Sequence, residues 1–169
     1  MVVNSAPLSN NLYTAALELV EEGDVNAFKT LLATHAIDPN SNECEFLRLS
    51  IVHNQAEIFA YLLPFYNKDF DNSDVLCEAC SLNHTVFALQ LIAHTNPTAN
   101  QNEPLMWAAR HNNQVLMDTL LPLSNPWEAM EQVERYAHRP RERQGLLYLR
   151  NYVYERIGTQ NPIEPRKKI

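Results

Sequence analysis

The chain has 169 residues, 46% of them hydrophobic, enough for one domain of ordinary size with its own core. Its net charge of −7 is uneven: residues 1–109 hold 3 cations against 13 carboxylates, a balance of −10, and residues 110–169 hold 10 cations against 7 carboxylates, a balance of +3. That acidic first part argues against a nucleic-acid binder, which needs clustered Lys and Arg, and no apolar run reaches the length of about 18 residues that a membrane span requires.

Residues 1–10 read as a polar lead-in without the basic and apolar regions of a secretory signal. Helices are predicted at 12–22 and 25–33, with Asp24 as N-cap of the second. Asp38-Pro39-Asn40 makes the stretch 35–42 a turn. A second helix pair is predicted at 45–53 and 56–63, ended by Pro64, followed by a link at 65–73 that mixes Phe65, Tyr66 and Phe70 with Asn and Asp. A third pair falls at 74–82 and 85–94, and a polar link with Pro97 leads to a fourth at 103–121. The fourth pair has apolar segments at 105–109 and 115–121, split by a polar joint at 110–114. Each segment is shorter than the roughly 12–15 residues an isolated helix needs in water, so each pair requires neighbours like itself.

Those neighbours are present, because stretches 14–32, 45–63, 74–92 and 103–121 are copies offset by 31, 29 and 29 residues. Self-similarity at a near-constant period marks a repeat architecture. At the joint between the two helices the copies carry Gly23, Asn54, Asn83 and Asn112. A tight helix-to-helix link needs one residue at positive φ, which Gly adopts freely and Asn tolerates best. This column is the most specific signal in a chain with 3 glycines.

After Leu121 the register is lost. Asn125-Pro126-Trp127-Glu128 is a helix start, with Asn as N-cap and Pro at the first helical position. That helix is predicted to run to 136 or 137, where His138-Arg139-Pro140 breaks it, and a second follows at 141–157 with Arg143, Arg150 and Arg156 as a basic stripe. The pair at 126–157 is expected to cap the last repeat, and 158–169 to form a flexible tail.

The four copies resemble the ankyrin repeat, whose helix pair reads T-P-L-H-x-A-A-x-x-G-H-x-x-V-V-x-x-L-L. Glu103-Pro104-Leu105-Met106 falls on T-P-L-H, Ala108-Ala109 on A-A, Asn112-Asn113 on G-H and Leu120-Leu121 on L-L. The resemblance implies an all-α, ankyrin-like solenoid over residues 1–125, closed by the helical cap. Two departures stand out: the spacing is below the family's period of about 33 residues, and Glu43, Asn72 and Gln101 replace the glycine of the projecting fingers. Shortened fingers without β-hairpin structure are therefore expected. For function the resemblance implies binding of a protein partner on the concave face, without catalysis or cofactor. Carried over by position, that face holds Glu21, Glu22, Val52, His53, Ser81, Leu82, Arg110 and His111, with finger residues Asn42, Cys44, Asp71, Ser73, Asn100 and Asn102. Arg110 and His111 stand out as cationic or titratable groups in an acidic groove. Small, glycine-poor ankyrin proteins of this kind look like bacterial ones, including effectors delivered into host cells, which would place the chain in the cytoplasm of its own or a host cell. The odd count of 3 cysteines fits the same reducing compartment.

Two other functions compete. Cys77-Glu78-Ala79-Cys80 with His84 offers soft zinc ligands, or a redox pair. A structural zinc wants four ligands and no second Cys pair exists, while the repeat register explains Cys80 as a small packing position and Cys77 as the family's His position. The chain could also be the non-catalytic part of a larger enzyme or effector. Catalytic motifs are missing from the sequence itself: no glycine-rich phosphate loop occurs, the histidines are scattered, and Glu21-Glu22 reads as a solvated helix end. Trp107, Met106 and Met117 read as core rather than as a docking patch.

Overall fold

The computed structural model describes residues 10–67, 74–136 and 138–157. Asp71, Ser73, the side chain of Arg156, the lead-in 1–9 and the tail 158–169 lie outside the described residues. Ten α-helices and no strand occur among those described: α1 (Asn10–Glu22), α2 (Val25–His35), α3 (Ser41–Val52), α4 (Ala56–Leu62), α5 (Asp74–Ser81), α6 (Thr85–Ile92), α7 (Ala99–Arg110), α8 (Gln114–Leu120), α9 (Pro126–Tyr136) and α10 (Pro140–Tyr152). Proline-containing 3-10 turns follow α4 (Leu63–Phe65) and α8 (Leu121–Leu123), and a π-helical turn (Val153–Ile157) prolongs α10.

The chain forms two compact units, one ending at Asn96 and the other beginning at Pro97. In the first, α1 pairs with α2, α3 with α4 and α5 with α6, while α1 packs on α3 and α3 on α5. Phe28, Phe46, Ile51, Ile58, Phe59, Leu62, Leu76 and Leu91 fill its core. Phe28 meets Phe46 edge-on at 5.5 Å, and Phe59 stacks on Phe87 at 4.5 Å. The small positions Ser50, Ala79 and Cys80 are fully buried, where facing helices come close. The Ser50 hydroxyl meets its hydrogen-bonding need locally by donating to the Leu47 carbonyl at 2.6 Å.

In the second unit α7 pairs with α8, and both α9 and α10 pack on α7 and on each other. Leu105, Ala108, Ala109, Leu116, Met117 and Leu120 are fully buried. Gly145 explains how closely α10 approaches: a Cβ there would lie 1.8 Å from the Ala109 carbonyl oxygen, so no other residue fits without movement.

All four joints share one geometry. Gly23, Asn54, Asn83 and Asn112 have φ of 79°, 56°, 59° and 51°. In each, the amide of the next residue reaches back past the joint: Asp24 to Leu19, Gln55 to Ser50, His84 to Ala79 and Asn113 to Ala108, at 3.1, 2.7, 2.9 and 2.9 Å. This is the Schellman closure, which satisfies a carbonyl left open at a helix end. The outer helices then start on side-chain caps where the sequence supplies one: Asp24 accepts from the Ala27 amide at 2.9 Å, and Asn113 from the Leu116 amide at 3.1 Å.

Helices α3 and α7 begin four residues earlier than the predicted 45 and 103, and the extra turn is left-handed. Asn42, Glu43 and Cys44 have φ of 48°, 58° and 62°, and Asn100, Gln101 and Asn102 have 49°, 60° and 63°. Each turn is closed by an amide on the carbonyl four residues back, Cys44 on Asn40 and Asn102 on Thr98, both at 3.2 Å. Right-handed helix follows from Glu45 and Glu103. A left-handed turn costs about 1–2 kcal/mol per non-glycine residue, and side chains beside it supply compensating bonds. Asn40 donates to the Phe65 carbonyl at 2.8 Å and accepts from the Asn67 amide at 3.1 Å, while Asn102 accepts from the Asn125 amide at 2.7 Å.

Candidate docking face

In the first unit the residues predicted to meet a partner fall on the C-terminal ends of α1, α3 and α5. Spacings of three and four residues put Glu18, Glu21 and Glu22 on one flank of α1, and the same register places Leu49 and Val52 on α3 with His53 just past its end, and Glu78 and Ser81 on α5 with Leu82 just past its end. Helix packing brings these flanks side by side. Val52 and Leu82 remain 45% and 40% exposed, and Glu21, Glu22 and His53 are exposed beside them. His53 Nε2 stands 4.0 Å from Glu21 Oε1. Ser81 is half-buried, its hydroxyl donating to the Glu78 carbonyl at 2.9 Å. Gln55 braces the row from below: its amide donates to the Glu21 carbonyl at 2.9 Å and covers Gly23, where a Cβ would sit 2.5 Å from Gln55 Oε1. Away from the exposed ends, Glu45 accepts the Tyr13 hydroxyl at 2.5 Å; burial first, then this carboxylate, push the phenol well above its ordinary range.

The fourth copy's residues are placed differently. Arg110 and His111, expected as open groove charges, are engaged by α10. Arg110 donates from Nε and Nη2 to Glu142 Oε1 at 3.3 and 3.1 Å, and its guanidinium lies 4.7 Å over the Trp107 ring. The His111 ring stacks on Trp107 at 6.1 Å, its carbonyl accepts from Arg141 Nε, and Asn112 donates to Gln144 Oε1 at 3.2 Å. Trp107 is half-buried rather than core, and its indole N–H donates to Glu103 at 2.9 Å. Glu142 is 6% exposed and accepts the His138 and Arg139 amides on Oε2 at 3.0 and 2.9 Å. The Arg139 amide, working against burial, and the Arg110 guanidinium hold this carboxyl below its ordinary range.

Among the finger residues, Asn42 and Asn100 are exposed, but Cys44 and Asn102 are 1% and 2% exposed. The left-handed turn rotates their side chains inward, and Asn102 also donates to Glu128 at 2.5 Å, so it braces its own unit rather than meeting a partner. Neither Glu142 nor Gly145 stands out in the repeat pattern. The signals that point to them are a Glu two residues after Pro140, where a carboxylate can reach back to the helix start, and a glycine inside a helix of a glycine-poor chain.

Cys44, Cys77 and Cys80 are free thiols and all buried. Burial pushes the Cys80 thiol up to about 12, away from the thiolate that metal binding or exchange requires. The His84 ring packs edge-on against Phe87 at 5.6 Å. Among the described residues no three His, Cys, Asp or Glu side chains form a metal-binding group, and no helix is long and apolar enough to cross a membrane. A groove of about 340 Å³ opens beside the second and third joints, lined by Asn54, Asn83, His84, Val86 and Phe87.

The chain matches no protein-family model, no curated protein and no solved structure.

Proposed function

We propose that this chain is a non-catalytic protein-docking module, an ankyrin-like helical array that binds a protein partner across the ends of α1, α3 and α5. The observation that carries this reading is the exposed pair Val52 and Leu82, at the ends of neighbouring packed helices. Apolar side chains scattered singly over a surface mean little. Here the two share a repeat-defined flank, bordered by carboxylates, with backbone joints of uniform geometry behind them. Support for the ankyrin-like register comes from the four positive-φ joints with their shared closure. Such a scaffold presents rigid side chains at regular spacing, which lowers the ordering cost of binding.

The test is capture of partners from lysate by the natural chain and by a Val52→Asp, Leu82→Asp double variant. The variant is expected to lose its specific partner by at least tenfold in affinity, about 1.4 kcal/mol, with its melting temperature nearly unchanged because both side chains are exposed. Equal recovery of the same partner by both proteins removes this face from the function.

A further inference from the structure

We infer that the partner reaches this face with a Lys/Arg-rich segment carrying two apolar side chains, which seat on Val52 and Leu82. This rests on the docking reading above and adds the partner's chemistry. Val52 ends α3 and Leu82 directly follows α5, its packed neighbour, and packed helix axes lie about 8–10 Å apart. A segment in the polyproline II conformation advances about 3.1 Å per residue and returns its side chains to one face every third residue, so anchors about three residues apart match that separation.

The surroundings of the two anchors select the charge. The flank beside the anchors carries 4 carboxylates (Glu18, Glu21, Glu22, Glu78), while Glu43, Glu45 and Asp74 stand at the opposite ends of α3 and α5; the 1 cation of the three helices is Arg48. Arg48 lies one turn before Val52, close enough to Tyr13 to act on the phenol. Not every carboxylate is available, since Tyr13 occupies Glu45. Glu18 and Glu22 are exposed, and among the described residues neither carries a hydrogen bond or an ion pair. Among the described residues the His53 ring, at 4.0 Å, is the basic group that meets Glu21. Like charges along one flank repel, and the 1 cation of these three helices, Arg48, stands a turn away beside Tyr13. A cationic segment removes that repulsion as it binds, whereas an acidic segment adds to it. The charges then set orientation and association rate, and the two apolar seats set residence time.

The experiment measures binding of a fluorescent lysine-rich peptide with two leucines about three residues apart. Two companion peptides replace the leucines by serine or the lysines by glutamate. Three protein variants accompany the natural chain: Val52→Ser with Leu82→Ser; Glu21→Gln with Glu22→Gln; and Glu57→Gln with Glu131→Gln, the same charge change at exposed sites off this face. The leucine–lysine peptide is expected to bind the natural chain. Binding should fall at least tenfold with either companion peptide and with either face variant, and stay within about twofold with the off-face variant. Equal weakening by the on-face and off-face charge variants, or equal binding of the serine peptide, overturns the proposal by reducing the effect to unspecific charge attraction. If no lysine peptide binds while Val52→Asp, Leu82→Asp still loses the lysate partner, the basic-segment proposal falls and the docking face stands.

Discussion

Glu142 joins two structural jobs in one carboxylate. One oxygen takes the amides that open α10, and the other takes Arg110 of α7. Replacing it by Gln removes the charge from all these bonds, and charge-assisted hydrogen bonds are worth roughly 1–3 kcal/mol. Glu142→Gln should therefore melt several degrees below the natural chain near neutral pH. The pH dependence has a definite sign. The folded carboxyl titrates below its ordinary value, so its stabilisation is complete above the unfolded value of about 4.3 and is lost as pH falls through the folded one. Thermal melts of both proteins should show a gap that is wide near neutrality and closes in acid. A gap that persists unchanged down to about pH 3 contradicts this role. The same pair makes Arg110→Glu a stability variant, because it sets two carboxylates against each other in a half-buried site.

At the scale of elements, the helical hairpin is governed by its joint. Asn112 has φ of 51°, and its neighbour's amide closes the helix end on Ala108. Asn112→Gly should leave the melting temperature close to that of the natural chain, since glycine adopts this φ without strain. Asn112→Val should lower stability by about 1–2 kcal/mol, the cost of forcing a β-branched residue left-handed. A glycine variant less stable than the valine variant refutes that account. The last two helices raise a separate question. Both pack on α7, and Gly145 of α10 is pressed on the α7 backbone at the fully buried Ala109. A fragment ending at residue 125 should lose helical signal from 97 onward or aggregate, which sedimentation and circular dichroism can follow. A monomeric fragment with an unchanged melting temperature would show that α9 and α10 contribute nothing to α7.

Over the whole molecule the decisive quantity is charge distribution. Residues 1–109 carry a balance of −10, and the exposed ends of α1, α3 and α5 lie within that part. Self-repulsion of this kind lowers stability and is screened beyond a Debye length of about 10 Å at 0.1 M salt. The melting temperature should thus rise by a few degrees between about 0.02 and 0.5 M sodium chloride, and less in Glu21→Gln, Glu22→Gln. A melting temperature that falls over that range means that attractive ion pairs outweigh the repulsion.

Much of this organisation is legible in the residues because it is local. Helix boundaries follow from Asp24 and Asn125-Pro126, whose side chains or rings act within one turn. The joints follow from Gly23, Asn54, Asn83 and Asn112, where one backbone angle decides which residue can stand. The helical content and the burial of Ala79, Cys80, Ala108 and Ala109 come from the same short-range pattern. Tertiary packing decided what lies beyond a turn or two. The left-handed turns at Asn42–Cys44 and Asn100–Asn102 break local preference and persist because Asn40 and Asn102 bond to links more than twenty residues away. Trp107 is core by pattern but half-buried in place, with Arg110 and His111 on its faces. Those two are open charges by repeat register, yet α10 claims them, through a glycine and a glutamate more than thirty residues distant. Sequence register assigns a residue to a face of its own helix; which neighbour covers that face is settled by packing between distant segments, and that is why the proposed docking face narrows to the ends of α1, α3 and α5.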